Sequence, residues 1–191
     1  KKILLSASLF HALTDASTVI TPMIFPILYN QHFMITSYSQ IGLLSNLGML
    51  ATFLVQFFIV RISYRYEYRH LLLLSLVGIC GSMALIPFGR SFAALFLFFL
   101  LLRLFTSFYH PIVIAWVSKS QSSSGQALDD AMGIQSGSGN MGVALAFLSV
   151  GFITQRWNWK LPLFAWSLFA LLLGTIGLLV LRGVSSRSYD R

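Results

Sequence analysis

The sequence contains few charged residues. Only 9% of its 191 residues are charged, whereas 57% are hydrophobic and the mean hydropathy is +0.79. A soluble domain carries about 25% charged residues, so this composition excludes an ordinary soluble protein and indicates an integral membrane protein. The formal net charge is +8, which in a soluble chain would favour nucleic acid as a partner. In a membrane protein the positive-inside rule accounts for this charge, and we expect a lipid bilayer and no nucleic acid as partner.

The sequence also lacks the motifs of catalytic and metal-binding sites. Its single cysteine, Cys80, excludes an internal disulfide. It contains no Walker-type phosphate loop, no metal-ligand spacing and no pairing of a nucleophile with a base. The H-x-x-x-D spacing of His11 and Asp15 would suit a membrane acyltransferase, but no oxyanion-binding signal accompanies it. We therefore expect no enzymatic activity, no cofactor and no metal ion.

Six apolar stretches are long enough to cross a bilayer as helices. They cover about residues 3–29, 39–60, 70–89, 93–117, 130–154 and 160–182, and each reaches the roughly 20 residues that a spanning helix needs. The connections between them are short and polar. The sequence therefore predicts an all-α membrane protein with one domain, 1–191, that ends in a cytoplasmic tail at 183–191.

The distribution of lysine and arginine predicts how the helices are oriented. If the N-terminus is cytoplasmic, nine cations flank the cytoplasmic side and three flank the other side. The positive-inside rule then places both termini in the cytoplasm, and we expect a bacterial inner (plasma) membrane. The nine are Lys1, Lys2, Arg61, Arg65, Arg69, Lys119, Arg182, Arg187 and Arg191, and the three are Arg90, Arg156 and Lys160.

The six predicted spans divide into two similar sets of three, at 3–89 and 93–182. The first span of each set carries ionisable residues, the second is rich in small residues, and the third is almost wholly apolar. An odd number of spans per repeat inverts its topology, so the pattern indicates a 3+3 inverted repeat. We expect the ionisable helices to line a cavity, the glycine-bearing helices to pack closely and the apolar helices to face lipid.

Ionisable residues lie at matching depths in the first and fourth spans. Counted from the cytoplasmic ends, Asp15 lies roughly 18 Å deep and Arg103 roughly 21 Å deep, while His11 and His110 both lie roughly 11 Å deep. A carboxylate is costly in hydrocarbon and usually marks a functional site. We expect Asp15 to be a proton-sensitive group, with a static structural ion pair as the alternative. Arg103 is either its counter-ion or an anchor for an anionic group of a bound molecule.

Other polar and special residues are candidates for the cavity, for hinges and for packing. His11 and His110 would relay protons, contact substrate or simply pack. Proline inside a helix removes a backbone donor and produces a kink or a hinge. The cavity candidates are His11, Thr18, Thr106, His110 and Asn140, of which Asn140 is better suited to packing at a tight helix crossing. The hinge and packing candidates are Pro22, Pro26, Pro111, Gly137, Gly139 and Gly142.

These residues form a pattern that resembles the N-terminal half of major facilitator superfamily transporters. The pattern covers about residues 5–182 and is most similar to the fosmidomycin-resistance branch of drug exporters. It consists of His11, Asp15, Pro22 and Pro26 in the first span, Gln40, Ile41, Gly42 and Gln56 in the second, Tyr109, His110 and Pro111 in the fourth, and GSGNMGVAL at 137–145 in the fifth.

The chain departs from the superfamily in the loop that normally gates transport. Arg65 and Arg69 match the loop motif, but Val60 and Glu67 replace its glycines and Tyr64 replaces its acidic residue. In the fourth span Arg103 matches the arginine that the superfamily links to proton coupling, and in the fifth span the antiporter glycine motif matches loosely. The three replacements in the loop, at Val60, Tyr64 and Glu67, put ordinary gating there in doubt.

The resemblance implies half of a secondary active transporter. Such a protein moves a small organic molecule or drug by alternating access, here as a proton-coupled antiporter. Relatives have twelve helices, so a second six-helix half is expected in the same longer chain, in a separate chain or in a second copy. The alternatives are a homodimeric half-size transporter and a non-transporting scaffold or regulatory module. The identity of the substrate cannot be read from the sequence.

Overall fold

The computed structural model describes residues 1–120 and 125–184, without the side chains of 64 and 125–127. Seven α-helices follow one another: α1 (Lys2–Asn30), α2 (Tyr38–Ile62), α3 (Tyr68–Leu85), α4 (Phe92–Thr106), α5 (Tyr109–Ser120), α6 (Gly125–Arg156) and α7 (Lys160–Val180). Short 3-10 helices cover Ser63–Arg65 and Ile86–Phe88. No strand occurs in these ranges. Residues 121–124 of the predicted linker and 185–191 of the predicted cytoplasmic tail lie outside the described residues.

Six of the described segments are long and apolar enough to cross a membrane, because α4 and α5 together form one span, Phe92–Ser120. This confirms the predicted all-α, six-span fold. Serine residues define two of the helix starts. The Ser37 hydroxyl accepts a hydrogen bond from the Gln40 backbone N–H at the start of α2, and Ser91 does the same for Ala94 at the start of α4.

The fourth span is broken, whereas the sequence predicted a continuous helix over 93–117. α4 ends at Thr106 and α5 begins at Tyr109. The break has a local cause, because Pro111 has no N–H to donate to the carbonyl of Ser107, four residues earlier, and its ring crowds that carbonyl. By contrast, α1 continues through Pro22 and Pro26. Of the three predicted hinges, only Pro111 therefore coincides with an interruption of its span.

Side-chain hydroxyls satisfy backbone carbonyls around this break. Ser107 Oγ donates to the Arg103 carbonyl at 2.5 Å, and Thr106 Oγ1 donates to the same oxygen at 3.1 Å. Ser75 of α3 donates to the Phe105 carbonyl at 2.8 Å. These hydroxyls add to the backbone donors that the two carbonyls already have, the Ser107 N–H at 3.2 Å and the Phe108 N–H at 3.4 Å. Non-helical backbone inside a membrane is tolerated where its polar groups are satisfied by protein in this way.

The helices differ in how deeply they are buried within this chain. Only 17% of the apolar window of α2 is buried, against 56% for α3, so the apolar third helix, which was expected to face lipid, is the better buried of the two within this chain. Glycines explain why α3 is buried. Gly78 of α3 packs against the Phe105 ring, and Gly174 of α7 packs against Leu76 of α3, which allows both neighbouring helices to approach α3 closely.

Candidate functional site

A cluster of three side chains, His11, Asp15 and His110, lies inside the predicted spans. His11 Nε2 lies 3.2 Å from Asp15 Oδ2, and His110 Nε2 lies 3.5 Å from Asp15 Oδ1. The two imidazole rings meet edge to face, with their centroids 5.2 Å apart. The side chains of His11, Asp15 and His110 are 12%, 25% and 37% exposed, so the cluster is mostly buried and His110 is its most open member. We call these three residues the His–Asp–His cluster.

Helix geometry and the break in the fourth span together bring these residues into contact. His11 and Asp15 are four residues apart on α1 and therefore share one face. His110 is the second residue of α5, directly after the break. The sequence analysis matched the depths of His11 and His110, and the structure shows that these two residues are neighbours.

Glycines of α6 allow this helix to pack directly beside the cluster. A Cβ atom on Gly139 would lie 2.6 Å from Asp15 Oδ2 and 2.9 Å from His11 Nε2. A Cβ atom on Gly142 would overlap the backbone of Ala12. Gly137, in contrast, has nothing within 4 Å of the same position. Within this chain, Gly139 and Gly142 are thus at a close helix contact, whereas Gly137 is not.

A buried hydrogen-bond chain joins α6, α5 and α1 next to the cluster. Gln135 Nε2 donates to the Tyr109 hydroxyl at 2.8 Å, and this hydroxyl donates to the Ala7 carbonyl at 2.7 Å. The Tyr109 ring also lies 5.1 Å from the His11 ring, centroid to centroid. Sequence reasoning missed Gln135 and treated Tyr109 only as part of a motif. The available signal was the position of Gln135 one helical turn before Gly139, on the same face.

Arg103 does not belong to the cluster. Its Nε donates to the Gly48 carbonyl of α2 at 3.4 Å, and among the described residues no carboxylate forms an ion pair with it within 4.0 Å. The predicted alternative in which Arg103 is the counter-ion of Asp15 is therefore not realised. The reason is steric, because Gly48 leaves space for the Arg103 stem, whose Cγ would lie 3.3 Å from a Cβ atom there. Arg103 as an anchor for an anionic substrate group stays a prediction.

The remaining candidate residues lie away from the cluster or are engaged within their own helices. The Thr18 hydroxyl donates to the Asp15 carbonyl at 2.7 Å, and Thr106 bonds within α4 in the same way, as threonine commonly does in helices. Asn140 is exposed on α6. Pro22, Pro111 and Arg69 are half-buried, and Pro26 and Arg65 are exposed.

A shallow groove between α2 and α5 reaches the cluster at His110. Its volume is about 310 Å³. It is lined by Phe53, Gln56, Phe57 and Val60 of α2 and by His110, Pro111 and Ile114 of α5. The lining is mostly apolar and has two polar side chains, Gln56 and His110. Such a lining suits the apolar part of a small organic molecule and gives it access to the cluster.

The site holds donor atoms that suit a metal ion, which the sequence analysis did not foresee. One donor atom from each residue of the His–Asp–His cluster lies within 4.8 Å of the other two. The sequence spacing shows only His11 and Asp15, because the third donor comes from a residue 95 positions after Asp15, at the start of α5. Only the fold brings the three together.

Comparisons with known proteins agree with this architecture. A family model described as the Major Facilitator Superfamily matches residues 6–189. Among solved structures, the chain is similar to a bacterial homologue of the human lysosomal transporter Spinster, in an inward-facing and unoccupied conformation, with a TM-score of 0.74 and 21% identity. The alignment covers 99% of this chain and 44% of that one, so this chain spans less than half the length of its structural relative. No curated protein matches it.

Proposed function

Because the chain belongs to the Major Facilitator Superfamily, we propose that it forms one half of a secondary active transporter for a small organic molecule. Membership in a superfamily of transporters agrees with the expectation that the chain is not an enzyme. The main observation in support is the His–Asp–His cluster, which places a carboxylate inside the spans next to an accessible groove. A carboxylate inside a membrane span is energetically costly, and for that reason it usually marks a functional site.

The proposal includes exchange of the molecule for protons. Asp15 is the proton-binding group, and the two imidazoles that contact it are the groups through which the proton arrives and leaves. The contacts of 3.2 and 3.5 Å are near the range in which a proton passes between nitrogen and oxygen atoms. Arg103 is the second residue of the coupling machinery, and its guanidinium would bind an anionic group of the substrate.

The proposed transporter needs a second six-helix half. Large apolar side chains are exposed on the helices that are least buried, for example Met49 and Phe53 on α2 and Met141 and Leu148 on α6. The structural relative is more than twice as long as the part that this chain matches. The second half is part of the same longer chain, a separate chain or a second copy of this one, and it would pack against α2 and α6.

The sequence motifs and the distribution of cations support a proposed activity, membrane and gating loop. The motif residues of the sequence resemble those of the fosmidomycin-resistance branch of drug exporters, and this resemblance is the reason for proposing drug efflux as the activity. The cation distribution supports cytoplasmic termini and a bacterial inner membrane. Arg65 and Arg69, which frame the 3-10 turn after α2 and the start of α3, are the proposed remnants of the gating loop.

The test is proton movement in proteoliposomes that contain this chain together with its second half. A pH-sensitive dye inside the vesicles reports protons that cross under an imposed pH gradient, and fosmidomycin is the first probe. We expect fosmidomycin to stimulate proton movement in the wild type and Asp15→Asn to abolish this stimulation. Asp130→Asn is the matched control, because it makes the same chemical change at an exposed position of α6 and should retain full activity.

The results separate the parts of the proposal. Full activity of Asp15→Asn would refute the role of Asp15 in coupling. A wild-type protein that moves neither protons nor any compound of a wider drug panel would favour the rival function, a non-transporting scaffold or regulatory module. One specific observation supports that rival, namely the loss of the usual acidic residue and glycines at Tyr64, Val60 and Glu67 of the gating loop.

A further inference from the structure

We propose that His11, Asp15 and His110 form a binding site for a divalent first-row transition-metal ion, with Zn²⁺ as the representative ion. This proposal goes beyond the transport function and does not depend on it, because metal binding is an equilibrium property of this chain. The three donors belong to α1 and α5. The site is therefore complete within the described six-span unit.

The distances between the donor atoms suit a single small ion. Zinc binds histidine nitrogen and carboxylate oxygen at about 2.0–2.2 Å, so two donors of a tetrahedral site lie roughly 3.4 Å apart. Asp15 Oδ2 lies 3.2 Å from His11 Nε2, and Asp15 Oδ1 lies 3.5 Å from His110 Nε2. All three residues offer donors within 4.8 Å of one another. Small side-chain rotations are sufficient to bring the three donors around one ion.

The chemistry of the donors selects the class of ion. Two imidazoles and one carboxylate suit zinc, copper, nickel, cobalt and iron, whereas calcium and magnesium prefer sites built from oxygen alone. The Asp15 carboxylate supplies a negative charge that offsets part of the charge of the ion. Three protein ligands leave at least one position open for water or another ligand, as in catalytic zinc sites.

The surroundings of the cluster allow an ion to enter and be held. His110, the most exposed of the three residues, lines the groove between α2 and α5, which gives access to the donors. On the other side Gly139 of α6 lies so close that a methyl group there would touch both Asp15 and His11. His11 Nδ1 is buried without a hydrogen-bond partner. Because a ligating histidine is usually held by a bond from its other nitrogen, we expect moderate affinity rather than that of a structural zinc site.

The experiment is a calorimetric Zn²⁺ titration of the purified chain in detergent, without a polyhistidine tag. We expect one saturable Zn²⁺ site per chain, and no competition from a large excess of Mg²⁺. Asp15→Asn and His110→Gln should each weaken binding about 100-fold or more, since even changes outside the first coordination shell cost about 10–100-fold. His70→Gln is the matched control, because His70 pairs with Glu67 at 3.8 Å on the exposed surface, and it should bind as the wild type does.

Every outcome of the titration decides the question. If Asp15→Asn does not fold, His110→Gln still tests the site, because His110 is the most exposed ligand and its loss leaves the His11–Asp15 contact in place. Absence of a saturable Zn²⁺ site in the wild type would overturn the proposal. Unchanged binding in a folded Asp15→Asn or His110→Gln variant, or loss of binding in His70→Gln alone, would overturn it as well. None of these results depends on proton movement or transport.

Discussion

Three glycines on one helix should respond very differently to the same substitution with alanine. At Gly142 the new Cβ would overlap the Ala12 backbone, which cannot rotate away, so α1 and α6 must separate. At Gly139 the new Cβ would lie 2.6 Å from Asp15 Oδ2, and the contact needs roughly 1 Å more to reach the ordinary separation of about 3.5–4.0 Å. At Gly137 the space is empty.

The expected free energies of unfolding follow from these contacts. Overpacking costs about 1–3 kcal/mol and occasionally more, so Gly142→Ala, which meets backbone, should lose stability in this range. Gly139→Ala should lose less, because only the ends of two side chains must move. Gly137→Ala relieves the helix penalty of glycine and should gain up to about 1 kcal/mol. In a domain of 150–250 residues, 1 kcal/mol shifts the midpoint of thermal unfolding by about 2–4 °C. The three variants should therefore unfold in the order Gly142→Ala, Gly139→Ala, Gly137→Ala as temperature rises.

The assay is thermal unfolding of the purified variants in one detergent, with Gly137→Ala as the internal control for alanine in α6. Gly139→Ala should also disturb the contact between His11 and Asp15, because the new methyl group would lie within 3 Å of both side chains and at least one of them must turn away. Equal midpoints for Gly139→Ala and Gly137→Ala would refute the close contact between α6 and the cluster. An unfolding midpoint for Gly142→Ala above that of Gly137→Ala would refute the helix packing itself.

Three further predictions concern the hydrogen bonds and the break near the cluster. Tyr109→Phe leaves the buried Gln135 amide without its partner and removes a second bond to the Ala7 carbonyl, which keeps its helical bond within α1. Unfolding should become easier by about 1–3 kcal/mol, measured as a lower thermal midpoint. Ser75→Ala removes the donor that α3 supplies to the Phe105 carbonyl at the break. This carbonyl keeps the Phe108 N–H at 3.4 Å, so the change should cost about 0.5–1.5 kcal/mol. An unchanged thermal midpoint would show that the bond does not support the break. Pro111→Ala restores a backbone donor and should close the break before His110. Expression should then be retained while transport by the protein with its second half falls. Unchanged transport would contradict a role for the break in placing His110.

Hydropathy and helix periodicity were sufficient to predict the six spans and the shared depth of His11 and His110. The spans and depths depend on composition and on the rise per residue, which can be read from one segment of the sequence. The neighbouring helix toward which a side chain points depends on how the helices pack, which one segment does not reveal. Arg103 was paired with Asp15 by depth alone, yet it turns to Gly48 on α2, because its direction is set by which helix carries a glycine beside it.

The close packing expected of a glycine-rich span is seen at Gly139 and Gly142 of α6. Composition did not reveal that α3 is approached closely as well, because those contacts are made at single positions, Gly78 and Gly174. The break in the fourth span had a visible cause in Pro111. The sequence analysis placed the possible hinge at Pro111 itself, whereas the helix ends at Thr106. The difference arises because a proline disrupts the hydrogen bond to the carbonyl four residues earlier.

The hydrogen-bond chain from Gln135 through Tyr109 to Ala7 has a mechanical consequence. It links three helices at one level, so α1, α5 and α6 either shift as one block or break at least one of two buried hydrogen bonds. Any rocking of this half would therefore leave the carboxylate and its two imidazoles in register. Bending would instead occur between α4 and α5, at the two non-helical residues that separate this block from α4.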